Sequence, residues 1–447
     1  MPSAYRRLGA LEQLLWLRDR VIPFHFAITA QVRGTIDSAA LTYALEQLQQ
    51  RHPLLRVKIS LEQKSSPHFV EHSSAIPYRM IARSGETHWQ TEAARELTEP
   101  FDWAEAPLIR IVWLYSPEIS DLIVVCHHAI ADGMTTVKLI QEILSLLACP
   151  QQAVLNHSVP PSLESLLPDH QPISHFQKVL ATGMVYWQQF WQRMKPRQND
   201  SLCENSSLQV SAGQFSPEIT TQLIQYCRQE ATTVHAAICA AWLLTIAQHC
   251  DSKQLLHCLS PINLRPYFAN LPECGLYISS GRTAYTITHQ TQFWQLARSL
   301  NLDLMQQAKN VQQSVQQLVQ QHTALICANP SPEFVNHLFR KQYASDVMVT
   351  NLGRLSIPQQ YGNLFLSAIY GPIVLSGFEQ ERVCGVATLN DRLFFTIVHH
   401  TSEAMLVKQA MQLLETVILH PDTARFTVES LRIENGHLTQ TAHALKH

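Results

Sequence analysis

Residues 127–133 read His-His-Ala-Ile-Ala-Asp-Gly, and the apolar run Leu122 to Cys126 leads straight into them. Successive strand side chains point to opposite faces, so only one of His127 and His128 can look into a given cavity. A histidine of near-neutral pKa is a natural general base. Asp132, four residues on and across a short loop, can fold back toward the strand end. Gly133 tolerates backbone geometry that other residues resist, and it leaves an approachable N–H. The pattern suits a base held at a strand end, with an acidic residue organising the loop.

Three other chemistries compete for these residue types. A metal ion shared by His127, His128 and Asp132 is disfavoured, because adjacent strand histidines point apart; no metal is expected. Cys126 shares a strand face with His128, so a thiol nucleophile beside its base is a second reading. His399-His400 with Glu403 repeats the outline of strand, paired histidines and helix, but without Asp-Gly. A strand end and helix cap explains it, and with 22 histidines in the chain a lone one carries little information.

The elements that must hold this loop follow from periodicity. Phe24 to Val32 alternates as a strand. Asp37 is placed to cap a helix with Leu41, Leu45 and Leu48 on one face, ended by Pro53. Leu54 to Ile59, Leu108 to Leu114 and Leu122 to Cys126 read as strands. A helix bearing Val137, Ile140, Leu144 and Leu147 follows the His-His loop. Residues 149–177 hold five prolines and read as a linker. Beyond it come a short aromatic helix at Tyr186 to Arg193 and a helix over Gln222 to Gln248. The small residues Ala236 to Ala241 on the latter suit close packing or room for a long chain. Val311 to Gln321 reads as a helix with a glutamine face, and Leu393 to Val398 as a strand leading to a helix at Ser402 to Leu419.

The run at 127–133 resembles the HHxxxDG signature of the chloramphenicol-acetyltransferase-like superfamily, which includes condensation domains. Further segments are similar in the same order: Arg7 to Trp16, Arg51-His52-Pro53-Leu54-Leu55-Arg56, Pro261-Ile262-Asn263-Leu264-Arg265-Pro266, and Val349-Thr350-Asn351-Leu352-Gly353-Arg354. The opening segment looks more like the stand-alone, polyketide-associated O-acyltransferases. The resemblance implies an α/β fold of two sandwich halves, 1–175 and 176–447, around a central tunnel. It implies acyl transfer from a thioester to an alcohol, with His128 as base and His127 facing away. Asp132 is expected to form an ion pair that shapes the loop, with Arg354 favoured as partner over Arg265 and Arg56. Gly133, Thr350 and Asn351 are the oxyanion candidates. No permanent cofactor is implied; coenzyme A or a phosphopantetheine carrier protein brings the acyl group. Arg340-Lys341 is expected to be a solvated pair, with a phosphate contact as the alternative. An amide-forming condensation enzyme and a non-catalytic carrier-binding module are the alternative functions.

Composition narrows the classes. Of 447 residues, 46% are hydrophobic and 15% charged, enough to bury a large core. A formal net charge of −2 with no basic block speaks against duplex nucleic acid. No apolar run approaches a membrane span, and the charges among the first residues interrupt any leader-like stretch. Ten cysteines without a CxxC pair, among them Cys126, Cys239 and Cys384, suit reduced thiols. A cytoplasmic monomer is expected.

Overall fold

The computed structural model describes residues 4–61, 66–151, 155–167, 174–194, 207–249, 254–378, 380–419, 431–434 and 437–440. The chain opens with β1 (Ala4–Arg7), α1 (Ala10–Asp19), β2 (His25–Arg33) and α2 (Ser38–Arg51). Strands β3 (Val57–Ser60), β4 (His68–Glu71) and β5 (Tyr78–Ala82) precede α3 (His88–Thr98). Then come β6 (Ile109–Tyr115), β7 (Ile119–His127), α4 (Gly133–Ala148), the short α5 (Leu163–Leu166) and α6 (His175–Met194). The next stretch is β8 (Leu208–Gln214), α7 (Pro217–Gln229), α8 (Val234–Gln248), β9 (Gln254–Asn263) and β10 (Ile278–Ile287). Helices α9 (Phe293–Lys309), α10 (Val311–Cys327) and α11 (Pro332–Tyr343) follow. Strands β11 (Val347–Arg354), β12 (Gln360–Tyr361), β13 (Leu364–Val374), β14 (Arg382–Leu389) and β15 (Arg392–His400) lead to α12 (Ala404–Leu419).

Local chemistry sets the boundaries. The Asp37 carboxylate accepts the Ala40 N–H at 2.9 Å and starts α2, whose Leu41, Ala44, Leu45 and Leu48 are buried. Pro53 opens a 3-10 turn over Pro53–Arg56 instead of the expected strand, which begins only at Val57. A proline at the first helical position is already set for such a turn. The helix expected over Gln222 to Gln248 is two helices, turned by 92°. Ala231 takes φ 51 between them, and the Thr233 side chain caps α8 by accepting from Ala236 N. The glutamine-rich segment is helical and begins at Val311, while Leu304 belongs to the preceding helix; Val311, Val315 and Val319 are buried. The aromatic segment from Tyr186 is the later part of the longer α6.

The proline-rich stretch is tied to both halves. Arg6 Nε donates to the Pro160 carbonyl at 2.7 Å and Tyr277 Oη to that of Pro161 at 2.9 Å. Pro168 and Pro172 lie outside the described residues.

Two six-stranded sheets carry the molecule, ordered β12-β13-β2-β7-β6-β5 and β10-β9-β11-β14-β15-β8. Among the described residues the strands of each half stay together with one exception. Residues 360–374 come from the second half of the chain yet extend the first sheet, β13 pairing antiparallel with β2 from Phe365 opposite Arg33 to Val374 opposite Phe26. Where β13 passes β14 the backbones touch: a Cβ on Gly385 would lie 2.1 Å from the Pro372 carbonyl oxygen. The main buried cluster joins β2 and β7 to Leu259, Phe334, Met348 and Phe394 of the second half. The alanine patch of α8 is fully buried in a second cluster against α9 and α12, so close packing explains its small residues.

Candidate active site

The cavity between the sheets, about 190 Å³, is lined from the first half by α1, β2 and the β7–α4 loop. From the second half β9, β10, α10, α11, β11 and the segment after β13 close it. Strands β2 and β7 pair with His25 opposite His127, so the chain leaves the sheet at His128. His128 lines the cavity at 8% exposure and packs on Phe24 and Phe26, ring centroids 5.1 and 4.5 Å away. Its pKa is pushed down to about 3, chiefly by burial and next by the neighbouring His127, while the Ala131 backbone opposes the shift. The imidazole is therefore neutral at pH 7, as a base must be. Its Nδ1 is buried without a hydrogen-bond partner of good geometry.

His127 turns the other way. Its Nδ1 accepts the Ala129 N–H at 3.0 Å, and its Nε2 lies 3.5 Å from Asp19 Oδ2. His25 Nδ1 lies 3.7 Å from Asp19 Oδ1, which also accepts the Phe24 N–H at 2.6 Å. Burial alone would raise the Asp19 pKa, but His127 and His25 together hold the carboxyl well below its usual range.

Asp132 caps α4. Its Oδ1 accepts from Thr135 N at 2.9 Å and Thr135 Oγ1 at 3.0 Å. Its Oδ2 accepts from Tyr277 N at 2.9 Å and Arg265 Nη1 at 2.8 Å. Both carboxylate oxygens are thus engaged, tying the loop to the first turn of α4, to the start of β10 and to Arg265. Arg265 also donates to Thr135 Oγ1 at 3.1 Å and to the Pro272 carbonyl at 3.2 Å, clamping the end of β9 to the start of α4.

The expectation that Arg354 serves Asp132 is corrected. Its side chain is 70% exposed and pairs with Asp391 at 2.8 Å. Gly353 at φ +71 and a register break between Asn351 and Arg354 turn that end of β11 outward. Arg56 is engaged elsewhere too, with Glu71 at 2.8 Å and Tyr5 at 3.1 Å.

Gly133, Thr350 and Asn351 all line the cavity. Gly133 opens α4, so its N–H belongs to the first-turn donors a helix leaves without internal partners. The Asn351 Oδ1 accepts the Gly353 N–H at 2.7 Å, which orients the side-chain amide.

Comparison with known proteins places this geometry. The model of the Condensation domain matches residues 17–338. The chain belongs to the condensation-domain family.

This condensation domain is similar to a plipastatin synthase component of Bacillus subtilis, 23% identical over 293 residues. That match covers 63% of the chain but 8% of the relative's length, and the other curated relatives are covered by smaller shares still. The fold is that of polyketide synthase associated protein 5 from Mycobacterium tuberculosis, TM-score 0.64 at 18% identity, covering 94% of this chain and 99% of that one. It is also that of the trichothecene 15-O-acetyltransferase from Fusarium sporotrichioides, TM-score 0.67 at 12% identity, covering 92% and 94%. The two-halved α/β architecture expected from the sequence is thus the fold of the family.

Other chemistry-bearing residues of the condensation domain are engaged structurally. The Cys126 thiol is buried and pushed up to about 12, with the Thr136 hydroxyl donating to it at 3.5 Å, so it does not ionise to a nucleophile. His399 Nε2 meets Ser211 Oγ at 2.9 Å and Glu403 accepts from Arg382 at 2.7 Å, leaving no shared ligand set at β15. Arg340 and Lys341 stand in the last turn of α11. Sequence reading missed Thr135, Phe24, Phe26 and Arg18. The first had a signal, a hydroxyl three residues after a capping aspartate; the last is a charge directly after the apolar run Leu14 to Leu17.

Among the described residues no single helix is long and apolar enough to cross a membrane.

Proposed function

We propose that the protein transfers an acyl group from a thioester to an alcohol, with His128 as general base. The observation that carries this reading is a neutral histidine lining a cavity that is also lined by Gly133 at the start of α4 and by Thr350 and Asn351 of β11. The acceptor hydroxyl gives its proton to His128 as its oxygen attacks the thioester carbonyl. The resulting oxyanion needs preorganised donors, for which the Gly133 N–H and the Thr350 and Asn351 side chains are the candidates. Collapse expels the thiolate, which takes up the proton held by His128. Asp132 and Arg265 keep the loop in place, and His127 anchors it from behind through Asp19. Residues 1–175 and 176–447 act as the two lobes, the β12–β13 hairpin of the second completing the sheet of the first. Coenzyme A or a carrier protein delivers the acyl group; the protein holds no cofactor of its own and works as a cytoplasmic monomer.

The test is thiol release from a panel of acyl-coenzyme A donors with simple alcohols, wild type against His128→Ala. Activity lost in a folded variant supports the reading. A folded His128→Ala protein that keeps its rate overturns it and favours a non-catalytic carrier-binding module.

A second reading, amide formation, draws support from the nonribosomal peptide synthetase among the curated relatives. Offering one acyl thioester first with an alcohol and then with an amine separates the two; amide as the sole product selects the second. No turnover on coenzyme A thioesters, but turnover on an acylated carrier protein, assigns the donor.

A further inference from the structure

We propose that Arg18 receives a carboxylate carried by one of the two substrates, so that the cavity takes an acyl or acceptor group with a negative charge close to the reacting centre. The proposal rests on the acyl-transfer reading for the meaning of "substrate", and it deepens that reading by naming a chemical class.

Arg18 follows four apolar residues near the end of α1 and is 2% exposed, yet it lines the same cavity as His128. Among the described residues its guanidinium makes one hydrogen bond, from Nη2 to the Ser376 carbonyl. Its Nε is buried without a partner. Among the described residues no carboxylate forms an ion pair with it. Asp19, next in the chain, is taken by His25 and His127. Glu381 is the other acid whose charge it feels, but both Glu381 oxygens accept backbone N–H groups, Ser376 at 2.6 Å and Gly377 at 2.9 Å. Burial pushes the Glu381 pKa up to about 7, so much of its charge is missing at neutral pH. Burial lowers the Arg18 pKa only to about 10, so the cation persists.

What surrounds the guanidinium instead is aromatic. Its central carbon lies 3.8 Å from the centroid of the Phe24 ring, 5.2 Å from that of Phe339 and 5.8 Å from that of Phe378. Rings attract a cation and hold the planar fork flat, but they supply no counter-charge. A buried charge without a close partner is expensive, and one carbonyl does not need a cation to satisfy it. The planar fork of arginine matches a carboxylate in two parallel hydrogen bonds, which a neutral group cannot equal. Phe24 is shared: its ring packs on Arg18 on one side and on His128 at 5.1 Å on another. A carboxylate held at Arg18 therefore lies about one ring from the base.

Two sources fit this chemistry, an acyl group ending in a carboxylate and a hydroxy acid or amino acid acceptor. Binding to the full chain is measured by calorimetry with two matched pairs: succinyl-coenzyme A against butyryl-coenzyme A, and 3-hydroxybutyrate against 1,3-butanediol. The expected result is about tenfold or greater preference for the carboxylate in one pair, the scale of a charge-assisted hydrogen bond. The pair that shows it names the source. Arg18→Met removes the preference while affinity for the neutral partner stays; Arg18→Lys, a charge without the fork, retains only part of it. If Arg18→Met does not fold by circular dichroism, Arg18→Gln, neutral but still able to donate to the Ser376 carbonyl, replaces it and is expected to lose the preference as well. Equal affinity within both pairs in the wild type overturns the proposal, as does an unchanged preference in whichever of the two variants folds. Parity in binding with turnover of the neutral pair removes the proposal and leaves acyl transfer standing. A carboxylate preference without turnover of any thioester does the reverse.

Discussion

His128, the base in the proposed reaction, is kept neutral by burial, and it packs against two phenylalanines. The sign of the shift matters: a lowered pKa keeps the neutral, proton-accepting form populated as the pH falls. With a value of about 3, kcat/KM should stay flat from about pH 8 to about pH 5 instead of bending near 6.5, the ordinary histidine value. A rate profile with an acid limb at the ordinary value would show a solvated histidine and count against the buried base. His128→Ala should lose roughly 10²- to 10⁴-fold in rate with the melting temperature little changed. Arginines around the loop divide sharply. Asp132→Ala leaves Arg265 without its carboxylate in a site where Arg265 is 16% exposed, and should cost about 3 kcal/mol in denaturant unfolding. Arg354→Ala removes an exposed pair with Asp391 and should cost less than about 1 kcal/mol, with activity intact. Equal effects of the two would contradict the assignment of the pair.

At the scale of elements, the site depends on α4 meeting β11 and β13 closely. A Cβ on Gly133 would lie 2.8 Å from Leu352 Cδ2 and 3.1 Å from Pro372 Cγ, side chains that can yield somewhat. The crossing of β13 over β14 cannot yield: a Cβ on Gly385 would meet the Pro372 carbonyl oxygen at 2.1 Å and its nitrogen at 2.9 Å, both backbone. Gly385→Ala should therefore cost about 3 kcal/mol or more by urea unfolding, at the upper end of overpacking effects. A near-neutral result would mean the sheets are not in contact there. Most elements were legible because their signals are local. Asp37 caps α2, Leu41 to Leu48 mark its buried face, and period-2 alternation marks β2. The misses have local causes too: Pro53 favours a turn, and Thr233 starts a second helix where apolar periodicity alone ran on.

For the whole molecule, the hairpin borrowed by the first sheet and the shared buried cluster should make the two halves unfold as one cooperative unit. Trp16, Trp89 and Trp113 report on the first half, Trp242 and Trp294 on the second, and all are buried. Single-tryptophan variants from each half should show coincident urea transitions. Separate midpoints would show that the halves unfold independently despite the crossing.

The sequence alone determined the reacting loop. HHxxxDG, a strand before it and a helix after it are adjacent in the chain, so alternation alone showed that one histidine faces inward and the other outward; the resemblance to HHxxxDG acyltransferases then named His128 as the inward one and gave Asp132 its place in the loop. It also carried the family, through short segments in a fixed order. Only the tertiary structure decided which arginine meets Asp132, because that pair spans 133 residues of sequence and depends on how β9 docks on α4. The same holds for Arg18 beside the cavity and for β13 in the sheet of the other half. Contacts between distant segments follow from the packing of the two sheets, and no periodicity within one segment encodes them.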